Sequence, residues 1–103
     1  MNTLKVKLLK SLRDRGIGLI GKKKPETIMF YTRFGIHTFG MKFPIDVLIL
    51  DEDDKVVKLV ENLKPNKIFF WPPKFKKVLE LPSGFIKNNK IEIGGKIKQN
   101  LFT

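Results

Sequence analysis

Apolar and polar residues alternate along much of this chain, and the alternation predicts β-strands. In Leu4–Leu8, leucine and valine alternate with lysine, which is typical of a half-buried strand whose lysines face solvent. The stretch Ile45–Leu50 is apolar on both faces, so we expect a strand in the interior of a sheet. After an acidic turn at 51–54, residues 55–63 are predicted to return as an antiparallel partner strand.

The same patterns predict three more strands and two helical segments. Strands are expected at 27–34, at 77–81 and at 90–98, the last interrupted by two glycines. Ser11 is a candidate N-cap for a short helix that ends near Ile20, and 85–89 is expected to form one helical turn. Residues 66–75 read as a long aromatic loop.

These elements predict an α+β domain that is mostly β. We expect a small barrel-like sheet, antiparallel or mixed, with one short helix near the N-terminus. With 103 residues and no internal repeat or linker, residues 1–103 are predicted to form a single domain.

The charge balance narrows the possible partners. The formal net charge is +11, from 21 basic and 10 acidic residues, which favours polyanions such as nucleic acid. Lysine supplies most of this charge, so an ordinary solvated surface is the competing interpretation. The chain has no cysteine, which excludes disulfides, thiolate metal sites and a cysteine nucleophile. It has no secretory pattern and no apolar run of the ~20 residues that span a bilayer, so we expect a cytoplasmic protein without a membrane span.

Three ionisable residues sit in apolar surroundings, namely His37, Asp46 and Glu80. A buried carboxylate is costly unless it is paired or hydrogen-bonded, so partners are required, and Arg15, Arg33 and Lys42 are candidates. The acids either belong to an internal network, or converge with the imidazole in a cleft, or lie hydrated at strand ends. His37 and Met41 are spaced as a soft-metal pair, but two ligands are too few, so no metal and no cofactor are predicted.

The segment 68–77 interleaves aromatic rings with lysines. Its rings could stack on unpaired bases, cover one open end of the barrel, or dock a partner protein. The candidate ligand-contacting rings are Phe70 and Trp71. The candidate phosphate-binding residues are Lys22, Lys23, Lys24, Lys74, Lys76 and Lys77. No nucleophile elbow or phosphate loop is present, so no residue is assigned a catalytic role.

The ordered motifs resemble the domain-of-unknown-function family number 192. The segment 36–51, which reads IHTFGMKFPIDVLILD, carries most of the resemblance, and the pieces at 15–21, 63–65 and 78–84 agree with it. The resemblance covers about 13–98 and implies a small β-rich, barrel-like domain with a short helix and no established activity. It directs attention to His37, Met41, Asp46, Glu80 and Gly84. Members of that family usually have a Gly-Asp pair before the last strand, and this chain has Gly94-Gly95 there.

We therefore expect a small non-enzymatic binding domain of unknown biochemical function. Its cleft would lie near His37, Met41, Asp46 and Glu80, with Phe70 and Trp71 as a lid. The alternative is a domain that binds single-stranded RNA or DNA through the lysine-rich surface and the aromatic segment. A monomer or a weak dimer is expected in either case.

Overall fold

The computed structural model describes residues 3–9 and 24–102. This part of the chain forms two sheets and a one-turn helix, α1, at Phe85–Asn88. The strands are β1 (Leu4–Leu8), β2 (Ile28–Tyr31), β3 (Gly35–His37), β4 (Ile45–Leu50), β5 (Val56–Leu63), β6 (Ile68–Phe70), β7 (Lys77–Pro82) and β8 (Gln99–Phe102).

Six of these strands form one mixed sheet in the order β5-β4-β7-β2-β1-β8. β1 runs parallel to both β2 and β8, and the other pairs are antiparallel. β4 lies in the interior of the sheet with every residue buried, as its two apolar faces predicted. The remaining strands, β3 and β6, form a separate antiparallel pair.

The predicted barrel-like closure is wrong. β5 and β8 are the two edges of the large sheet and do not pair with each other. At one end of β5, Lys55 bridges Lys96 and the backbone of Val56 bonds to both Gly94 and Gly95, which lie in the loop before β8. This loop, 89–98, turns repeatedly instead of extending, so it supplies no strand to join the two edges.

The core consists of two apolar layers, one on each face of the large sheet. The first layer is covered by the β3–β6 pair, from which Ile36 and Phe69 pack inward together with Trp71. The second layer is covered by α1 through Ile86 and by the loop residue Ile97. Because neighbouring residues in a strand point to opposite faces, β2, β4 and β7 contribute to both layers, whereas the apolar residues of β1 all belong to the second layer.

Most of the predicted elements are confirmed, with changed bounds. The strands at 4–8, 45–50, 55–63 and 77–81 and the helical turn near 85 are present, whereas the strand expected at 27–34 is shorter. The aromatic loop contains a strand, β6, and the last strand begins at Gln99 rather than near 90. The predicted helix from Ser11 to Ile20 lies outside the described residues.

Candidate functional site

Asp46 is a fully buried carboxylate that binds two backbone amides. Asn62 donates its N–H to Oδ1 at 2.9 Å, and Ile86 donates its N–H to Oδ2 at 2.8 Å. Asn62 lies at an irregularity of β5, and Ile86 lies in the first turn of α1. Asp46 therefore joins three elements and has compensation for its burial without a cationic partner.

Glu80 is buried in the first core layer and has less compensation. It lies in the middle of β7 with 4% exposure, and its Oε1 contacts no hydrogen-bond partner among the described residues. Burial disfavours the charged form and raises the pKa of Glu80 from 4.5 to about 7. The Glu80 side chain therefore holds its proton over most of the acidic range.

The two acids lie on neighbouring strands but do not converge. Glu80 pairs directly with Val47, whereas Asp46 pairs with Leu81, so the side chains of Asp46 and Glu80 point to opposite faces of the sheet. Arg33, which we considered as a partner, instead donates Nη1 to the carbonyl of Pro73 at 2.6 Å. Arg15 lies outside the described residues.

His37 and Met41 are also separated by the fold. His37 ends β3 with its ring exposed, whereas Met41 is buried in the first core layer. Thr38 lies between them in the chain, and its buried hydroxyl donates to the carbonyl of Lys64 and accepts the N–H of Lys67. Consistent with this, no group of three or more His, Asp or Glu side chains suited to a metal occurs in the part of the chain that the structure describes.

The outer side of the β3–β6 pair carries a cluster of exposed apolar side chains. We call this surface the aromatic face and define it by His37, Phe39, Ile68 and Phe70. Phe34, which precedes β3, is also exposed. His37 pairs across the strands with Ile68, and the His37 ring stacks on the Phe39 ring at 5.1 Å between centroids. The Phe39 N–H also donates to Nδ1 of His37 at 3.3 Å.

Two backbone features shape this face. Phe70 pairs with Gly35, and a Cβ placed on Gly35 would lie 3.0 Å from the Phe70 ring and 2.7 Å from the Phe69 carbonyl. Only glycine therefore lets the Phe70 ring lie against the β3 backbone. Phe34 adopts φ 78°, a left-handed conformation that is unfavourable for a bulky residue, and its ring is 65% exposed.

The aromatic segment divides between core and surface. Phe69 and Trp71 point inward, and the Trp71 indole donates to the carbonyl of Phe75 at 2.7 Å. Phe70 points outward with 63% of its surface exposed. Lys58 of β5 fixes the strand from the side, since its ammonium donates to the Phe70 carbonyl and lies over the Phe69 ring. Phe70 and Trp71 therefore do not form one lid.

The two chain segments that supply the aromatic face contain cations but no acids. Residues 27–45 and 62–79 contain seven lysines and arginines and no acidic residue. Of the candidate phosphate-binding residues, Lys24, Lys74 and Lys76 are exposed. Lys77 pairs with Asp54 at 2.6 Å, and Lys22 and Lys23 lie outside the described residues.

A groove of about 460 Å³ lies at the end of β4 and β7, away from all of the predicted cleft residues. Its walls carry opposite charges, because Asp51, Glu52 and Asp53 line it together with Arg33, Lys74, Lys76 and Lys77. Four of the seven cations of the acid-free stretches therefore lie beside acids from another part of the chain. The acidic wall makes this groove a poor site for a polyanion.

Sequence reasoning identified His37 and Phe70 but missed Phe34, Phe39 and Ile68. Their exposure depends on the β3–β6 pairing, which joins segments whose own patterns look irregular. The one available signal was composition, because both segments combine phenylalanine and lysine and contain no acid.

The described residues include no helix that is both long and apolar enough to cross a bilayer.

The molecule is thus a small α+β domain in which a two-stranded sheet covers one face of a six-stranded mixed sheet. The chain belongs to the DUF192 family ("Uncharacterized ACR"), whose model matches residues 1–99. It is 35% identical over 99 residues to a UPF0127 protein of Pyrococcus horikoshii, covering 90% of this chain and 85% of the relative. A UPF0127 protein of Pyrococcus abyssi is 33% identical over 100 residues, with 91% and 85% covered.

Solved structures show the same fold. A Sinorhizobium meliloti protein named "putative transcription regulator" superposes with a TM-score of 0.78 at 21% identity, covering 86% of this chain and 76% of that one. A protein of unknown function from Novosphingobium aromaticivorans gives a TM-score of 0.78 at 18% identity, covering 88% and 71%. At these identities the likeness concerns the fold alone.

Proposed function

We propose that this protein is a non-enzymatic binding domain and that its partner is a nucleic acid. The observation that carries the proposal is the segregation of charge around the β3–β6 pair. The acid-free stretches 27–45 and 62–79 supply the strands of that pair. Three of their cations, Lys42, Lys64 and Lys67, are exposed in the loops next to β3 and β6 and do not line the mixed-charge groove. Cations neutralise phosphates, and the release of counterions then drives binding.

The geometry favours this partner over a small ligand in a cleft at His37, Asp46 and Glu80. His37 lies on the outer surface, Asp46 in the second core layer and Glu80 in the first. Asp46 already uses both of its oxygens to bind backbone amides. The members of the predicted site that remain accessible are His37 and Phe70, and both belong to the aromatic face.

The test is the salt dependence of binding to a fluorescent single-stranded RNA of about 12 nucleotides, within the range of site sizes known for small binding domains. The logarithm of the association constant should fall by roughly 0.7 per logarithm of salt for each phosphate contacted. Binding that is absent even at low salt would overturn the proposal.

Two charge-reversal variants test where on the protein the nucleic acid binds. Lys67→Glu lies next to β6 and should weaken binding and reduce the salt slope. Lys90→Glu changes the net charge by the same amount in the distant loop 89–98 and should have a smaller effect. Equal losses in both variants would argue against a localised surface on the β3–β6 pair.

A further inference from the structure

We propose that the aromatic face holds unpaired bases by stacking, with one base on Phe70 and another on the His37–Phe39 pair. This inference rests on the proposed function and narrows its partner to a single-stranded stretch. In a duplex the bases are stacked on each other, so a protein ring can reach a base face only where the strands are apart.

Phe70 is 63% exposed, so its ring is accessible to a ligand. The ring atom Cδ1 lies so close to Gly35 that a Cβ at that position would be only 3.0 Å from it. The β3–β6 backbone pairing and Lys58 hold the strand on which Phe70 stands. The ring is therefore positioned before any ligand arrives, so binding orders little additional structure.

The His37–Phe39 pair is the second position. The two rings lie at 25° to each other, and the Phe39 N–H bonded to Nδ1 fixes the orientation of the imidazole. Phe39 is 48% exposed, so the pair is accessible from solvent. Because His37 is directly opposite Ile68, and Ile68 lies two residues from Phe70, the two stacking positions share one side of the small sheet.

Charge complementarity selects nucleic acid over other occupants of an apolar surface. Lys67 adjoins Ile68 in sequence. Lys42, Lys64 and Lys67 are exposed, and the segments that form the face contain no acid. A second copy of this chain carries the same charge of +11, so like-charge repulsion opposes self-association through this face. A single strand of nucleic acid offers phosphates to the cations and unpaired bases to the rings.

The experiment measures fluorescence anisotropy of oligouridine of about 12 nucleotides and of a duplex of the same length. Phe70→Leu and Phe39→Leu retain apolar side chains but lose the flat rings. Each is expected to weaken oligouridine binding on the order of 10-fold without changing the salt slope. Phe102→Leu is the matched control, because Phe102 is exposed on β8 and should leave the affinity unchanged.

Conservative replacement separates stacking from folding. Phe70→Tyr and Phe70→Trp keep a ring at the Gly35 position and should retain the wild-type affinity, and thermal melts check that each variant is folded. Wild-type affinity in Phe70→Leu and Phe39→Leu, or equal affinity for duplex and single strand, would overturn stacking while the cationic nucleic-acid surface stands. A Phe70→Leu variant that abolishes a wild-type dimer would assign the face to self-association and also overturn stacking. Failure of all nucleic acids to bind would overturn the proposed function itself.

Discussion

Glu80 is the residue at which burial and chemistry conflict most directly. Its carboxyl group lies in the first core layer with one oxygen unpartnered among the described residues, and its pKa is raised to about 7 by desolvation. Glu80 is therefore neutral in the stable folded state, and the fold is destabilised when its carboxyl group ionises.

We expect the stability of the protein to fall as the pH rises from about 4.5 to about 7. Over this interval the unfolded chain has released the Glu80 proton while the folded chain still binds it, so raising the pH favours unfolding. The full difference is about 3 kcal/mol, at about 1.4 kcal/mol per pH unit. Urea denaturation at several pH values measures it.

The variant Glu80→Gln should remove this pH dependence and should be more stable than the wild type at about pH 8. Glu61→Gln is the control, because Glu61 is exposed on β5 and should leave the pH profile as it is. A wild-type profile that is flat between about pH 5 and about pH 8 would show that the folded protein accommodates the charged carboxylate.

Phe34 combines an unfavourable backbone with an exposed ring. Its φ of 78° costs a non-glycine residue free energy, and the 65% exposed side chain recovers little by burial. Backbone strain of this kind is concentrated at functional sites, and Phe34 directly precedes β3, a strand of the proposed site.

The variant Phe34→Gly should raise the free energy of unfolding by about 0.5–1 kcal/mol, because glycine adopts positive φ without strain. Phe34→Ala removes the same ring but keeps a Cβ, so it should not be stabilised, and the difference between the two variants reports the strain. Chemical denaturation of both proteins gives the comparison. If Phe34→Gly were less stable than Phe34→Ala, the inferred backbone strain at Phe34 would be contradicted.

At the scale of elements, Asp46 holds together parts that are distant in the sequence. Its oxygens join β4 to the irregularity of β5 at Asn62 and to the first turn of α1. Gly84 at the start of α1 has a positive φ and supplies no side-chain cap, so Asp46 takes the place of a local capping residue. Ser83 extends the same network by donating to the side chain of Asn62.

We expect Asp46→Asn to destabilise the protein by about 2–3 kcal/mol, because the amide nitrogen cannot accept and leaves one buried N–H unpartnered. Hydrogen exchange should rise first at the amides of Asn62 and Ile86. Asp53→Asn, in the exposed turn after β4, should have little effect on either measurement. Unchanged exchange at both amides in Asp46→Asn would mean that α1 is held by packing alone.

How well each strand could be predicted depended on how far apart in the sequence its interacting residues lie. β1, β4 and β7 were predictable because their alternating or doubly apolar patterns are local properties. β3 and β6 were not, since each spans three residues and pairs only with the other. For the same reason only part of the candidate site was predicted: Phe70 was recognised, whereas its pairing with Gly35 was not.

At the scale of the whole molecule, the net charge of +11 affects the stability of the fold as well as the binding of partners. The described part of the chain contains one ion pair within 4.0 Å, between Lys77 and Asp54, so most of its lysines have no close carboxylate. Mutual repulsion among these lysines opposes the compact state, and added salt screens it.

The melting temperature should therefore rise between about 10 mM and about 150 mM NaCl, as the screening length falls from about 30 Å to about 8 Å. Scanning calorimetry checks this prediction. An equal concentration of a neutral osmolyte serves as the control for effects that do not depend on charge. A melting temperature that falls over this salt range would show that attractive pairs outweigh the repulsion.

The sequence by itself determined the β-rich class, the interior position of β4, the family and the excess of positive charge, because each is a property of composition or of residues near one another in the chain. Only the tertiary structure decided that the sheet stays open, that Asp46 and Glu80 face opposite layers, and that Phe70 is exposed while Trp71 is buried. These outcomes depend on strand pairing and register, and shifting a register by one residue moves every side chain of a strand to the other face.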